Sequence, residues 1–364
     1  GRTTLTGEGL QHADGHSPLL ASTNPAVITY DPAYAYEIAH IVKAGLERMY
    51  GGNHPDPNVM FYLTIYNEPA LQPEEPADLD VDGLLRGIYL LSRGNSELRE
   101  RCTILASGVA VAWAQEAQML LERDWNVRAD LYSVTSWNEL RRDGVAAERH
   151  NFLNPTETPR IPYLTSKLQD AVGPTIAVSD FMHTVQDQVR EFIPGRFATL
   201  GADGFGFSDT RPAARRFFAI DGPSIAVRVL QQLAKESRID PEAPARAVEL
   251  YKLHDVNAGT SGSAGGLGGQ YMAAWLLGIL ACDDAKCAAI VDAGGIPPLV
   301  AMLGAILIQI FANLYNDVAD FRRGADTEDR VGPARVTQKG WMTQRQVLQA
   351  CVAVVAGALL TGVY

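Results

Sequence analysis

Basic residues are in short supply: 31 Lys and Arg face 42 Asp and Glu, for a formal net charge of −11. That balance excludes general nucleic-acid binding, which needs a basic footprint. Cysteine is scarce as well, with Cys102, Cys282, Cys287 and Cys351 spread unevenly. No disulfide framework can be built on them, and Cys282 and Cys287 lack metal-ligand spacing. The opening Gly1-Arg2-Thr3-Thr4 has no apolar run and no cleavage pattern, so it does not read as a signal peptide. It also lacks an initiator Met, which points to a cut chain. What is present is globular: 47% apolar and 20% charged residues in 364 positions. That length exceeds one ordinary core and predicts two or three units.

Composition changes once. The stretch from Ala258 to Gly269 is almost entirely Gly, Ser and Ala, and reads as a flexible linker (258–270). Before it, apolar strands alternate with helices. Val59–Ile65 reads as a buried strand, as do Thr103–Gly108, Ala129–Val134 and Thr175–Ser179. Helices are expected through Glu116, Leu120 and Leu121, from Ser136, over Val185–Phe192, and over Pro223–Glu236 and Pro241–Leu253. Spacing of this kind predicts parallel βαβ units. Pro73–Asp82, rich in proline and acids, reads as a solvated connection. After the linker, Pro298–Ala312 and Val347–Tyr364 are long apolar runs, the second about as long as a bilayer requires. They read as membrane spans joined by a polar loop, or as two buried helices of a bundle.

Two groups of residues carry chemistry. In Gly7-Glu8-Gly9-Leu10-Gln11-His12-Ala13-Asp14-Gly15-His16-Ser17 the glycines argue against a helix. A loop is expected there, presenting Glu8, His12 and His16 either to a cleft or simply to solvent. Imidazoles so placed donate hydrogen bonds to anions and move protons near neutral pH. In the second group Asn313, Asp317 and Asp320 share one face if the apolar helix continues, with Arg322, Arg323 and Arg330 following. Such a face suits a magnesium-diphosphate; the plainer reading is a helix end reaching water.

The run Gly1–Ser17 resembles a segment of the homodimeric bacterial pyruvate dehydrogenase family, its thiamine-diphosphate-dependent decarboxylating component, and its actinobacterial members most. So do Tyr30-Asp31-Pro32-Ala33-Tyr34-Ala35-Tyr36-Glu37, Tyr66-Asn67-Glu68-Pro69, Ser133–Leu140, Gly201–Gly206 and Ser208-Asp209-Thr210-Arg211. The resemblance is collinear to about Asn257. It implies a transketolase-like α/β fold: residues 1–100 as the end of the pyrimidine-side domain, and 101–257 as the complete C-terminal domain. It implies His12 and Glu8 as active-centre groups, with His16 and Asp14 supporting. Pyruvate and the lipoyl domain of dihydrolipoyl acetyltransferase are the implied partners, in a cytoplasmic homodimer. Phe207 departs from the basic residue usual in the family between Gly206 and Ser208. The Gly-Asp-Gly with downstream Asn that holds magnesium and diphosphate is not found. Thiamine diphosphate and magnesium are therefore not expected to bind tightly to this chain alone, and no decarboxylase activity is expected of it unaided.

Two further stretches resemble other families. Asp283–Val300 is similar to one armadillo repeat, too little to bury its own face. The words Ile308–Asp317 and Gly324–Pro333 resemble the first aspartate-rich region of 1,4-dihydroxy-2-naphthoate polyprenyltransferases. That resemblance implies magnesium at Asp317, Asp320 and Asn313, and membrane association through 298–364. Residues 271–364 thus read as an all-α apolar region, and three resemblances in series suggest a chimeric chain, with a non-catalytic scaffold as the remaining alternative.

Overall fold

The computed structural model describes residues 1–5, 12–51, 55–204, 206–256, 343, 345–347 and 349–352. The chain divides into two units, Gly1–Ser263 and Ala264–Tyr364.

The first unit holds two sheets. In the smaller, β1 (Val27–Tyr30) pairs in parallel with β2 (Met60–Leu63). The crossover between them is α2 (Ala35–Tyr50), preceded in the chain by α1 (Ser17–Ser22). Ile28, Tyr30, Tyr36 and Ile41 form the core of this layer, with Leu84 and Tyr89 closing it. The outer edge of β1 is capped by side chains rather than by a strand: Ser136 Oγ donates to Thr29 O at 2.6 Å, and Arg142 Nη2 to Val27 O at 2.7 Å.

The larger sheet has the order β3-β5-β4-β6-β7. Its strands are β3 (Tyr89–Ser92), β4 (Glu100–Ala106), β5 (Val127–Ser133), β6 (Thr175–Val178) and β7 (Phe197–Leu200). All neighbours are parallel except β3, which runs antiparallel to β5. This sheet therefore takes in residues 89–92, upstream of 101. Cys102, Ile104 and Ala106 face one side and Leu105 the other, as strand alternation requires. The first side is covered by α4 (Ala110–Trp125) and α9 (Gly222–Lys235), with α10 (Ala243–Leu250) behind. The second is covered by α5 (Trp137–Leu153) and α6 (Tyr163–Lys167), with Phe181, Val185 and Phe192. Both faces buried is the rule for parallel sheets, which is why the central strands read as continuous apolar runs.

Several expectations hold. Ser136 caps α5 by accepting from Glu139 N, and Pro223 sits in the first turn of α9. The exposed segment 71–78 leads into α3 (Val81–Arg86), capped by Asp80. Three differ. The strand after Val59 is an edge, with Met60 63% exposed, because nothing among the described residues pairs with its far side. The helix expected over Val185–Phe192 is α7 (His183–Asp187) followed by a 3₁₀ turn, Arg190–Phe192. Side chains end it early: Gln188 Nε2 takes Val185 O at 2.6 Å, and Thr199 holds Asp187 at 3.0 Å. The expected parallel βαβ pairing holds for β4 to β7, but an added strand, β3, runs antiparallel to β5, because its short connection to β4 leaves no room for a crossover.

In the second unit, Thr343 opens a helical turn with a capping box. Thr343 N donates to Gln346 Oε1 at 2.8 Å, and Gln346 N to Thr343 Oγ1 at 3.3 Å. Val347 and Cys351, four apart, are buried there. The linker, the armadillo-like stretch, Asn313, Asp317, Asp320 and almost all of both apolar runs lie outside the described residues. Among the described residues, no helix is long and apolar enough to cross a membrane.

Candidate functional site at the carboxyl edge of the large sheet

In an open α/β sheet, ligands enter where consecutive strands diverge to opposite sides, beyond the strand carboxyl ends. Here β5 lies on one side of β4 and β6 on the other, so the crevice opens between Ser107-Gly108 and Ser179-Asp180. It is filled by the chain itself. Segments 64–68 and 1–4 run across it, each held by a buried carboxylate.

Asp31, at the end of β1, holds the first. Its Oδ1 accepts from Thr64 Oγ1 at 2.6 Å and from the Tyr66 hydroxyl, and its Oδ2 from Ser107 Oγ at 2.7 Å. Trp137 Nε1 donates to the same Ser107 Oγ at 3.1 Å. Gly108, with φ of +53°, has no room for a side chain beside the Tyr66 hydroxyl and Asp31. Burial, together with Asp31 and Asp180, pushes the Tyr66 phenol well above its ordinary value.

Asp180, at the end of β6, holds the second. Thr3 Oγ1 donates to its Oδ1 at 2.7 Å, and Thr3 N to its Oδ2 at 3.1 Å. Arg2 N donates to Asp180 O at 3.0 Å. Burial raises the Asp180 carboxyl, against the pull of the Thr3 donors. Glu68 pairs with Arg215, whose guanidinium lies 4.6 Å from the Trp113 ring. Arg211, in α8 (Arg211–Phe217), donates to Thr4 O at 2.7 Å.

The histidine turn stands on this filled crevice. Gly15 O accepts from Met182 N at 2.8 Å, just past β6. His12 and His16 are both exposed. Asp14 is spent locally: its Oδ1 accepts from His16 N and Ser17 N, both at 3.0 Å, which starts α1. Burial works to raise the Asp14 carboxyl, but these bonds outweigh it and hold it low. His183 Nδ1 lies 2.9 Å from Asp203 Oδ2, off the line of a hydrogen bond. Glu8 lies outside the described residues, so its relation to His12 is not part of this geometry. Phe207 stacks on Phe217 with centroids 4.3 Å apart, an apolar use for a position where a cation was expected.

Two family models match the chain. Residues 1–73 match the pyruvate dehydrogenase E1 component middle domain, and 87–221 the transketolase-like C-terminal domain. The relatives are pyruvate dehydrogenase E1 components. That of Mycolicibacterium smegmatis is 59% identical over 259 residues, covering 71% of this chain and 28% of the relative. That of Mycobacterium tuberculosis is 55% identical over 258 residues, with the same 71% and 28% coverage. The Escherichia coli protein is 43% identical over 254 residues, 70% of this chain and 28% of its own length. The chain thus spans about 28% of the curated E1 components it matches. A transketolase from Leishmania mexicana aligns with a TM-score of 0.44 and 16% identity over 64% of this chain and 29% of that one.

The E1-like stretch does not fit a magnesium-diphosphate at its crevice. The carboxylates there, Asp31 and Asp180, have their oxygens taken by Thr, Ser and Tyr donors that a metal would have to displace. Among the described residues no three His, Cys, Asp or Glu side chains gather as a metal site. Sequence reading found the histidines but not Arg2, Asp31, Asp180 or Arg215, because buried polar joints follow no periodicity. Asp180 and Arg215 carried no signal at all, whereas some joints fall within the quoted motifs: Asp31, Glu37, Glu68, Ser133, Ser136, Trp137 and Arg211 all make them.

Proposed function

We propose that residues 1–257 serve as the carboxyl-terminal part of an acetyl-transferring pyruvate dehydrogenase E1 component. In this reading the stretch contributes the histidine turn, and residues outside the stretch hold thiamine diphosphate and magnesium. One observation carries it: the ordinary ligand crevice is plugged by segments 1–4 and 64–68, while His12 and His16 stand exposed on top. A neutral or protonated imidazole there donates a hydrogen bond to a 2-oxo acid carboxylate and carries a proton near neutral pH. Glu8 is the acid beside it by resemblance, and His16 supports it. The cytoplasmic homodimer, and the lipoyl domain as acetyl acceptor, follow from the same similarity. For Asn313, Asp317 and Asp320 the magnesium-binding alternative, and for 298–364 the membrane one, rest on the sequence words alone.

The test is complementation. The chain is co-expressed with the upstream portion of the Mycolicibacterium smegmatis E1 component and assayed for carbon dioxide release from labelled pyruvate, with thiamine diphosphate and magnesium added. Activity is expected from the pair and not from the chain alone, and His12→Ala should lower kcat of the pair by about 10²-fold or more. Release by the chain alone, or a pair indifferent to His12→Ala, refutes the reading.

A further inference from the structure

Arg2 is 5% exposed, an unusual place for a guanidinium. Among the described residues its Nε finds no hydrogen-bond acceptor. Burial works against its charge and lowers its pKa, while Asp14, Asp203 and Asp180 attract it. These three acids come from three places: the histidine turn, the segment after β7, and the end of β6. The Arg2 side chain also lies directly against Gly15. A Cβ built there would fall on Arg2 Nε, Cζ and Cδ, and those are its three nearest atoms. Gly15 has no left-handed φ, so its backbone would accept any residue, and Arg2 is what excludes a side chain. On the opposite side Gly15 O is held by Met182 N.

We infer that Arg2 is the positioning residue of the histidine turn, clasping Gly15, and with it His12 and His16, onto the carboxyl edge of the large sheet. The clasp works by three features. Its backbone is anchored on Asp180 O, its Nε, Cζ and Cδ occupy the space beside Gly15, and its charge is shared among acids of separate segments. None of the turn's own side chains could do this, since Asp14 is committed to α1 and both histidines face outward. Active-centre groups must be held within a fraction of an ångström by such supports. The significance for catalysis rests on the function proposed above; the clasp itself does not.

Amide hydrogen exchange on the full chain tests it without any activity. Arg2→Met should speed exchange across 12–17 at least about tenfold while leaving 103–121, in β4 and α4, unchanged, and Arg2→Lys should restore most of the protection. Gly15→Ala, which must push the guanidinium away, should loosen the same peptide. In the double variant R2M/G15A the second change should add nothing to the first. Native exchange at 12–17 in both R2M and G15A overturns the inference, as does loosening of 103–121 to the same degree. Additive effects in the double variant overturn it too. Should complementation fail while these results hold, the clasp stands and the proposed activity falls.

Discussion

Removing the Asp31 carboxylate should be among the costliest single changes in the first unit. In Asp31→Ala three buried hydroxyls lose their acceptor at once. Thr64 has Tyr30 O at 3.5 Å as a poor substitute, and Ser107 still receives Trp137 Nε1, so each costs about 1 kcal/mol. Tyr66 is enclosed, keeps only the Thr64 hydroxyl as a neighbouring partner, and costs about 2 kcal/mol. The sum is about 4 kcal/mol, or a fall of roughly 10 °C in Tm for a unit of this size. Asp31→Asn keeps one acceptor oxygen, and all three hydroxyls can swivel, so it should cost only about 1–2 kcal/mol. Ser107→Ala should cost about 1 kcal/mol, and the Asp31→Ala/Ser107→Ala pair should fall short of additivity by about 1 kcal/mol, because both delete the same bond. Urea unfolding followed by tryptophan fluorescence reads all four variants. An Asp31→Asn protein as stable as the native one would refute the reasoning. It would mean that burying the uncompensated charge costs as much as the three hydrogen bonds return.

Glu37 gives a pH test. It is wholly buried, with Oε1 accepting from Tyr89 and Ser133, both at 2.7 Å, and Oε2 from the backbone of Ala33 and Tyr34 at 2.5 and 3.1 Å. Burial, opposed by these bonds, holds its carboxyl above the ordinary range. A raised folded pKa means that the folded state takes up the proton more readily than the unfolded one. Its contribution is therefore complete below the unfolded value of about 4.3 and is lost as pH rises through the folded value. Glu37→Gln cannot titrate, so its stability deficit against the native chain should shrink between pH 4 and pH 7; a deficit that widens contradicts the assignment. At the other end of the unit, Tyr251 accepts from Trp125 Nε1 and donates to Asp124 Oδ2, both at 2.9 Å. Tyr251→Phe should cost about 1–2 kcal/mol in the same urea assay, and no change in midpoint would show the contact to be idle.

Much of the fold was legible because the large sheet is buried on both faces. Thr103-Ile104-Leu105-Ala106 and Thr175-Ile176-Ala177-Val178 announce themselves as strands, and Ser136 and Pro223 announce helix starts. The smaller sheet was harder. Val27–Tyr30 is four residues long, and Phe61–Leu63 look buried by composition although β2 is an edge. Edge or centre is decided by which strands are present beside it, and single residues do not encode that.

The site divides along the same line. Sequence alone determined that glycines flank His12 and His16 in a loop, since a helix there would cost about 1 kcal/mol per glycine. It also determined the acidic balance, a formal net charge of −11. Only the tertiary structure decided where that loop sits and what holds it. Arg2 and Gly15 are thirteen positions apart, and Thr3 lies 177 positions from Asp180, yet each pair is in contact. A buried polar group is stabilised by its partner and not by its neighbours in the chain. Pairing over such separations is a property of the packed molecule, and the residues that make it carry no local pattern by which they could be read beforehand.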